Sequence, residues 1–182
     1  MDSLKLRSIL ENGGTKDNRL IAGIEKFIND EKFLLANDLN ERTMSAKLAQ
    51  YLQKEYCSDY FVDCEYNRML DKNVNYADSA KRLPGNYDKT APTTDLKGKT
   101  VYPDIIIHKE RKRNNGNYIV IEVKKEVNNE DKTLDFSKLK KFTKIYSSPY
   151  SLNYEWGIYL EFNKEELSDV RLFKNGKQIN PV

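Results

Sequence analysis

Two short stretches place ionisable side chains inside apolar runs: Tyr102 to Lys109 reads YPDIIIHK, and Asn117 to Lys124 reads NYIVIEVK. Side chains alternate along a strand. Val120, Glu122 and Lys124 therefore share one face, while Ile119, Ile121 and Val123 take the other. In the first stretch Tyr102, Asp104, Ile106 and His108 lie opposite Ile105 and Ile107. Burying Asp104, Glu122 and Lys124 among Ile and Val without partners is costly, so these charges are expected to meet one another or a metal. One or two carboxylates are what Mg²⁺ usually takes from a protein, with water and phosphate completing the shell. Such an ion polarises a phosphodiester and lowers the pKa of a bound water, and a nearby lysine neutralises charge in the transition state. The chemistry that suits these residue types is phosphodiester cleavage.

The register of the two stretches decides whether Asp104 and Glu122 meet. A two-residue turn at Asn115-Gly116 would pair Lys109 with Glu122. Asp104 would then lie roughly 17 Å away at 3.3 Å per residue, too far to share an ion. A shared metal needs a wider loop, centred nearer Arg113, or a bulge that resets the register.

The elements that must position these groups read as follows. Residues 1–16 form an arm or short helix ending in Asn-Gly-Gly-Thr. A helical period begins near Leu20, with Leu20, Ile21, Ile24, Phe27 and Ile28 on one face. A clearer helix follows Asn40, its cap, with the stripe Met44, Leu48, Tyr51, Leu52 and Tyr56. Glu41 lies on that stripe in the first turn. It is either a solvated first-turn acid or one met by a cation or metal. Tyr60 to Arg68 alternates as a strand, and 69–100 is a long polar loop whose lysines, Tyr76 and Tyr87 could line a nucleic-acid groove. After the hairpin, a helix over 135–146 buries Phe136, Leu139, Phe142, Thr143 and Tyr146. Thr133 or Asp135 caps it, and Lys138, Lys140, Lys141 and Lys144 are its wet side. Tyr154 to Phe162 is a strand, and Asn175-Gly176 joins a closing hairpin. The expectation is an α/β or α+β mixed sheet in one domain over 1–182, divided into an N-terminal arm and helix (1–39), a core (40–162) and a C-terminal hairpin (163–182).

Pro103-Asp104, followed after seventeen residues by Glu122-Val123-Lys124, resembles the motif of the PD-(D/E)xK nuclease superfamily, the restriction-endonuclease-like fold. The resemblance covers roughly residues 40–162 and implies an αβββαβ core, here with an extra N-terminal helix and a C-terminal hairpin. It implies that Asp104, Glu122 and the Val123 backbone carbonyl hold Mg²⁺, with Mn²⁺ as a substitute, and that Lys124 is the catalytic lysine. Many members add an acid from the helix before the sheet, and Glu41 matches that place, so Glu41 enters as a catalytic residue and further ligand. Small bacterial members also show patterns like Asn40-Glu41-Arg42-Thr43 and Asp63-Cys64-Glu65-Tyr66-Asn67-Arg68, the second without an assigned role. The implied activity is cleavage of nucleic acid, DNA before RNA, by a chain that many relatives pair into a homodimer. Lys138 and Lys141 are the backbone-contact candidates.

Two other readings stand beside it. One is a non-catalytic module of the same fold; the other is an unrelated α+β interaction protein whose acids and Lys124 form ordinary ion pairs. His108, the only histidine, reads as a strand-end polar residue rather than a general base. The net charge of +3 does not by itself mark a nucleic-acid binder. Cys57 and Cys64 lack zinc-ligand spacing and read as reduced, buried thiols. No stretch approaches the ~20 apolar residues of a membrane span, and the first residues lack a signal-peptide core. A soluble, cytoplasmic protein is expected.

Overall fold

The helical and strand periods resolve, in a computed structural model, into elements at nearly the expected places. The structure describes residues 3–37, 40–66, 82–83, 99–100, 102–110, 116–126, 132–145, 152–164 and 166–179. Within these lie α1 (Ser3–Asn12), α2 (Asn18–Asp30), α3 (Lys32–Ala36), α4 (Glu41–Tyr56), β1 (Phe61–Cys64), β2 (Arg82–Leu83), β3 (Lys99–Thr100), β4 (Ile105–His108), β5 (Asn117–Lys125), α5 (Thr133–Thr143), β6 (Trp156–Phe162), β7 (Leu167–Lys174) and β8 (Lys177–Ile179). The architecture is mixed α/β, with a six-stranded mixed sheet and five helices among the described residues.

The sheet order is β1-β4-β5-β6-β7-β8. Among the described strands only β5 and β6 run parallel, and α5 lies in the crossover between them. Residues from α2 and α4, such as Ile24, Phe27, Leu48 and Leu52, cover one face, packing with Ile105, Ile107, Ile119, Ile121 and Val123. On the other face, Leu139 and Phe142 of α5 pack with Ile106, Val120, Tyr159 and Phe173. Both faces being covered explains why β4 is wholly buried and β5 nearly so.

The β4–β5 pairing departs from a tight hairpin in two ways. Lys109 N–H donates to the Gly116 carbonyl at 3.0 Å, so the ladder closes on Lys109 and Gly116 and not on a two-residue turn at Asn115-Gly116; Arg113 and Asn115 lie outside the described residues. Ile107 pairs with Ile119 but His108 with Asn117, which leaves Tyr118 as an extra residue in β5.

Tyr118 is anchored. Its hydroxyl donates to Asp17 Oδ2 at 2.9 Å, as does that of Tyr56 at 2.9 Å. Asp17 also caps α2 through the Arg19 N–H at 3.0 Å. Burial works to raise the Asp17 pKa, but the hydrogen bonds from Arg19, Tyr56 and Tyr118 outweigh it and hold the carboxyl below its usual range. One side chain thus ties α2, the end of α4 and the start of β5. Asp17→Ala removes a cap and strands two tyrosine hydroxyls. It is expected to cost about 2–4 kcal/mol in urea unfolding.

Several expectations are corrected. The link before Asn40 carries α3, with Leu35 buried. Part of the 69–100 segment forms a two-stranded ladder, β2 with β3, rather than a structureless loop; Tyr76 and Tyr87 lie outside the described residues. Arg68 and Tyr146 also lie outside them. Neither Thr133 nor Asp135 caps α5, whose cap position is Lys132 with no side-chain cap bond. Cys57 and Cys64 are free but exposed, not buried. Cys57 ends α4 at a positive φ of 50°, and Cys64 lies on the edge strand β1. No described helix is long and apolar enough to cross a membrane.

Candidate functional site

The register that β4 and β5 adopt brings the two acids together. Ile105 pairs with Ile121, so Asp104 stands one step beyond, opposite Glu122. Asp104 Oδ2 accepts the Val123 N–H at 2.7 Å. In an extended residue the N–H and C=O project to the same strand edge, so the Val123 carbonyl opens on the side of Asp104. Both acids lie on the α5 face, beyond Ile106 and Val120.

Glu122 is 2% exposed. Its Oε2 is 3.3 Å from Lys138 Nζ, and its buried Oε1 has no hydrogen-bond partner among the described residues. Burial, and after it the charge of Asp104, raises the Glu122 pKa well above its ordinary value. Burial likewise pushes Asp104 up to about 6, offset in part by the Val123 N–H. Two neighbouring acids, each held back from ionising, are a pair that an added cation would stabilise.

Lys124 reaches the same end of the sheet. Its Nζ donates to Glu41 Oε2 at 3.1 Å and lies 3.6 Å from Asp135 Oδ2. Glu41 Oε1 also accepts the Lys125 N–H at 3.2 Å. The Asn40 cap, which accepts the Thr43 N–H at 2.8 Å, starts α4 where Glu41 can reach the end of β5. The structure therefore brings Asp104, Glu122, Lys124 and Glu41 to one region, with Glu41 joined to it through Lys124.

Two residues join that were not expected there. Asp135, 4% exposed, accepts from Lys138 at 2.7 Å and faces Lys124. The signal was present in the sequence: Asp135 precedes Leu139 by four and Phe142 by seven, so it lies on the buried stripe of α5. Lys138 is corrected from the wet side of α5 to this cluster. It follows Asp135 by three and sits at the edge of the stripe. Burial would lower its pKa, but Glu122 and Asp135 outweigh that and hold the ammonium above the ordinary lysine range. Lys141 is one turn further on and partly exposed.

No protein-family model, curated protein or solved structure matches the chain.

The donor set consists of hard oxygens, suited to Mg²⁺ or Mn²⁺ rather than a soft metal. The unpaired Glu122 Oε1 and the two resisted ionisations fit a divalent cation. As arranged, no three His, Cys, Asp or Glu among the described residues converge closely enough to hold one. Lys138 instead supplies the cation at Glu122.

His108 is separate from this cluster. It is 1% exposed, with Nε2 2.8 Å from Asp63 Oδ2 and Nδ1 2.9 Å from the Glu110 carbonyl. It lies four residues along β4 from Asp104, roughly 13 Å at strand spacing. It ties the edge strand β1 to the loop after β4. Glu65 pairs with Arg42 at 2.8 Å, so the 63–66 stretch makes structural contacts at the sheet edge.

Proposed function

We propose that this chain is a divalent-metal-dependent nuclease, with DNA as its first expected substrate. The observation that carries this reading is the Asp104 carboxylate bonded to the Val123 N–H, which sets Asp104 directly across from Glu122. The element order α4–β1–β4–β5–α5–β6 supports a restriction-endonuclease-like αβββαβ core within the mixed sheet.

Asp104, Glu122 and the Val123 carbonyl would hold Mg²⁺. Bound there, the ion would polarise a phosphodiester and lower the pKa of a water attacking it. Lys124, aimed by Glu41 and Asp135, offsets the charge that develops on phosphate and orients the nucleophile. Asp104 and Glu122 lie beneath α5, and the partly exposed Lys141 of that helix is the proposed contact to the nucleic-acid backbone.

The test is incubation of duplex DNA, single-stranded DNA and RNA with the protein and Mg²⁺ or Mn²⁺. Cleavage is expected to need the metal. Asp104→Ala and Lys124→Ala are each expected to lower the rate by at least about 10²–10³, with far-UV circular dichroism unchanged. Failure to cut any of the three substrates with either metal overturns the proposal.

A further inference from the structure

Lys138 is the residue whose position the mechanism leaves unexplained. A lysine meant for the nucleic-acid backbone would point outward. This one turns in, between two buried carboxylates, while 36% of its side chain remains exposed. Its two contacts differ. The ammonium is 2.7 Å from Asp135 Oδ1 but 3.3 Å from Glu122 Oε2. The first is short and lies within one helix, at i,i+3, so it survives any small withdrawal of the side chain. The second is long and crosses from helix to strand. On the far side of the same carboxylate, Glu122 Oε1 has no hydrogen-bond partner among the described residues. One ammonium thus serves Glu122 incompletely and Asp135 well.

We propose that Lys138 is a built-in competitor of the divalent ion: its ammonium occupies Glu122 when no metal is bound and retires to Asp135 when one arrives. This inference rests on the metal-site reading above and adds its regulation. A flexible lysine with an exposed side and a second buried acceptor is suited to the exchange; a rigid, forked arginine would not be. Asp135 is the reason the exchange leaves no ammonium buried without a partner. Lys124, held by Glu41 as well as Asp135, stays in place. Competition lowers the apparent affinity by the fraction of molecules in which Glu122 is engaged. The chain would therefore hold metal loosely until substrate phosphate adds its own ligands.

The test reads Mn²⁺ binding directly, by electron paramagnetic resonance of the free ion, in the full chain. Lys138→Met is expected to bind Mn²⁺ about tenfold more tightly than the parent, the equivalent of one charged hydrogen bond. Lys138→Gln should move in the same direction, and Lys138→Arg should not. Should the neutral variants fold poorly without metal, the rise in melting temperature on adding Mn²⁺ reports the same affinity and should exceed that of the parent. Binding by Lys138→Met that is unchanged or weaker, in a parent whose binding depends on Glu122, overturns the inference and leaves the nuclease reading standing. Tighter binding by Lys138→Met in a protein that cuts no nucleic acid does the reverse. No Mn²⁺ binding by any of these proteins overturns the inference.

Discussion

Glu122→Gln is expected to weaken Mn²⁺ binding at least about 100-fold while raising the melting temperature of the metal-free protein. The two effects have one cause. Glu122 is buried beside Asp104, and burial is the main reason its ionised form is disfavoured. Replacing it with a neutral amide of the same shape removes that cost. Lys138 is not stranded by the change, because Asp135 holds it at 2.7 Å. A rise of at least about 2–4 °C is expected, which corresponds to roughly 1 kcal/mol in a domain of this size. The ligand is lost at the same time, and removing even a residue that only supports a ligand typically costs 10–100-fold in metal affinity. Calorimetric melting with and without Mn²⁺ checks both halves. A variant less stable than the parent without metal would show that Glu122 is an ordinary structural ion pair.

The second large effect is on pH dependence. The Asp104 carboxyl, raised by burial to about 6 from 3.8, keeps its proton in the folded protein at pH values where the unfolded chain has lost it. The folded state therefore binds more protons across this window, and stability falls as pH rises. The contribution is full below about 3.8, declines through about 6, and is absent above. A shift of this size corresponds to at most about 3 kcal/mol. Asp17 works in the opposite sense, because its carboxyl is lowered and its contribution is lost as acid is added. The informative quantity is thus the difference between the parent and Asp104→Asn in urea midpoints from pH 4 to pH 7. The parent should lose stability relative to the variant across that range without metal. Saturating Mg²⁺ should abolish the difference in slope, since the ion stabilises the ionised acid. Parallel profiles for the two proteins would contradict the proposed Asp104 environment.

Much of this arrangement was legible in the sequence, for physical reasons that differ from element to element. Long, strongly periodic stretches gave α2 and α4, and apolar runs broken by single charges gave β4 and β5 with the correct face for Asp104 and Glu122. Glu41 was visible because it sits on the stripe of its own helix. Asp135 satisfies the same rule, but its residue type equally suits a helix cap, and the sequence does not separate the two roles. The charge of Lys138 alone suits a wet helix face; its i,i+3 partner Asp135 is local, but Glu122 lies across a β-α-β crossover that no local window shows. α3 is too short to announce itself by periodicity. Residue preference alone favours buried cysteines; the edge position of β1 exposes Cys64, and the end of α4 exposes Cys57.

The extra residue in β5 has one more consequence. Without it, the pairing of His108 with Asn117 would continue as Asp104 with Ile121. Cross-strand partners share a face, so Asp104 would turn toward α4 and away from Glu122. Because both faces of the hairpin are apolar, such a slip would exchange one Ile for another, and burial would barely register it. Tyr118 acts as a parity digit that hydrophobicity cannot supply, and Asp17 holds it in place. A helix cap at the far end of the strand thereby decides whether the two carboxylates meet.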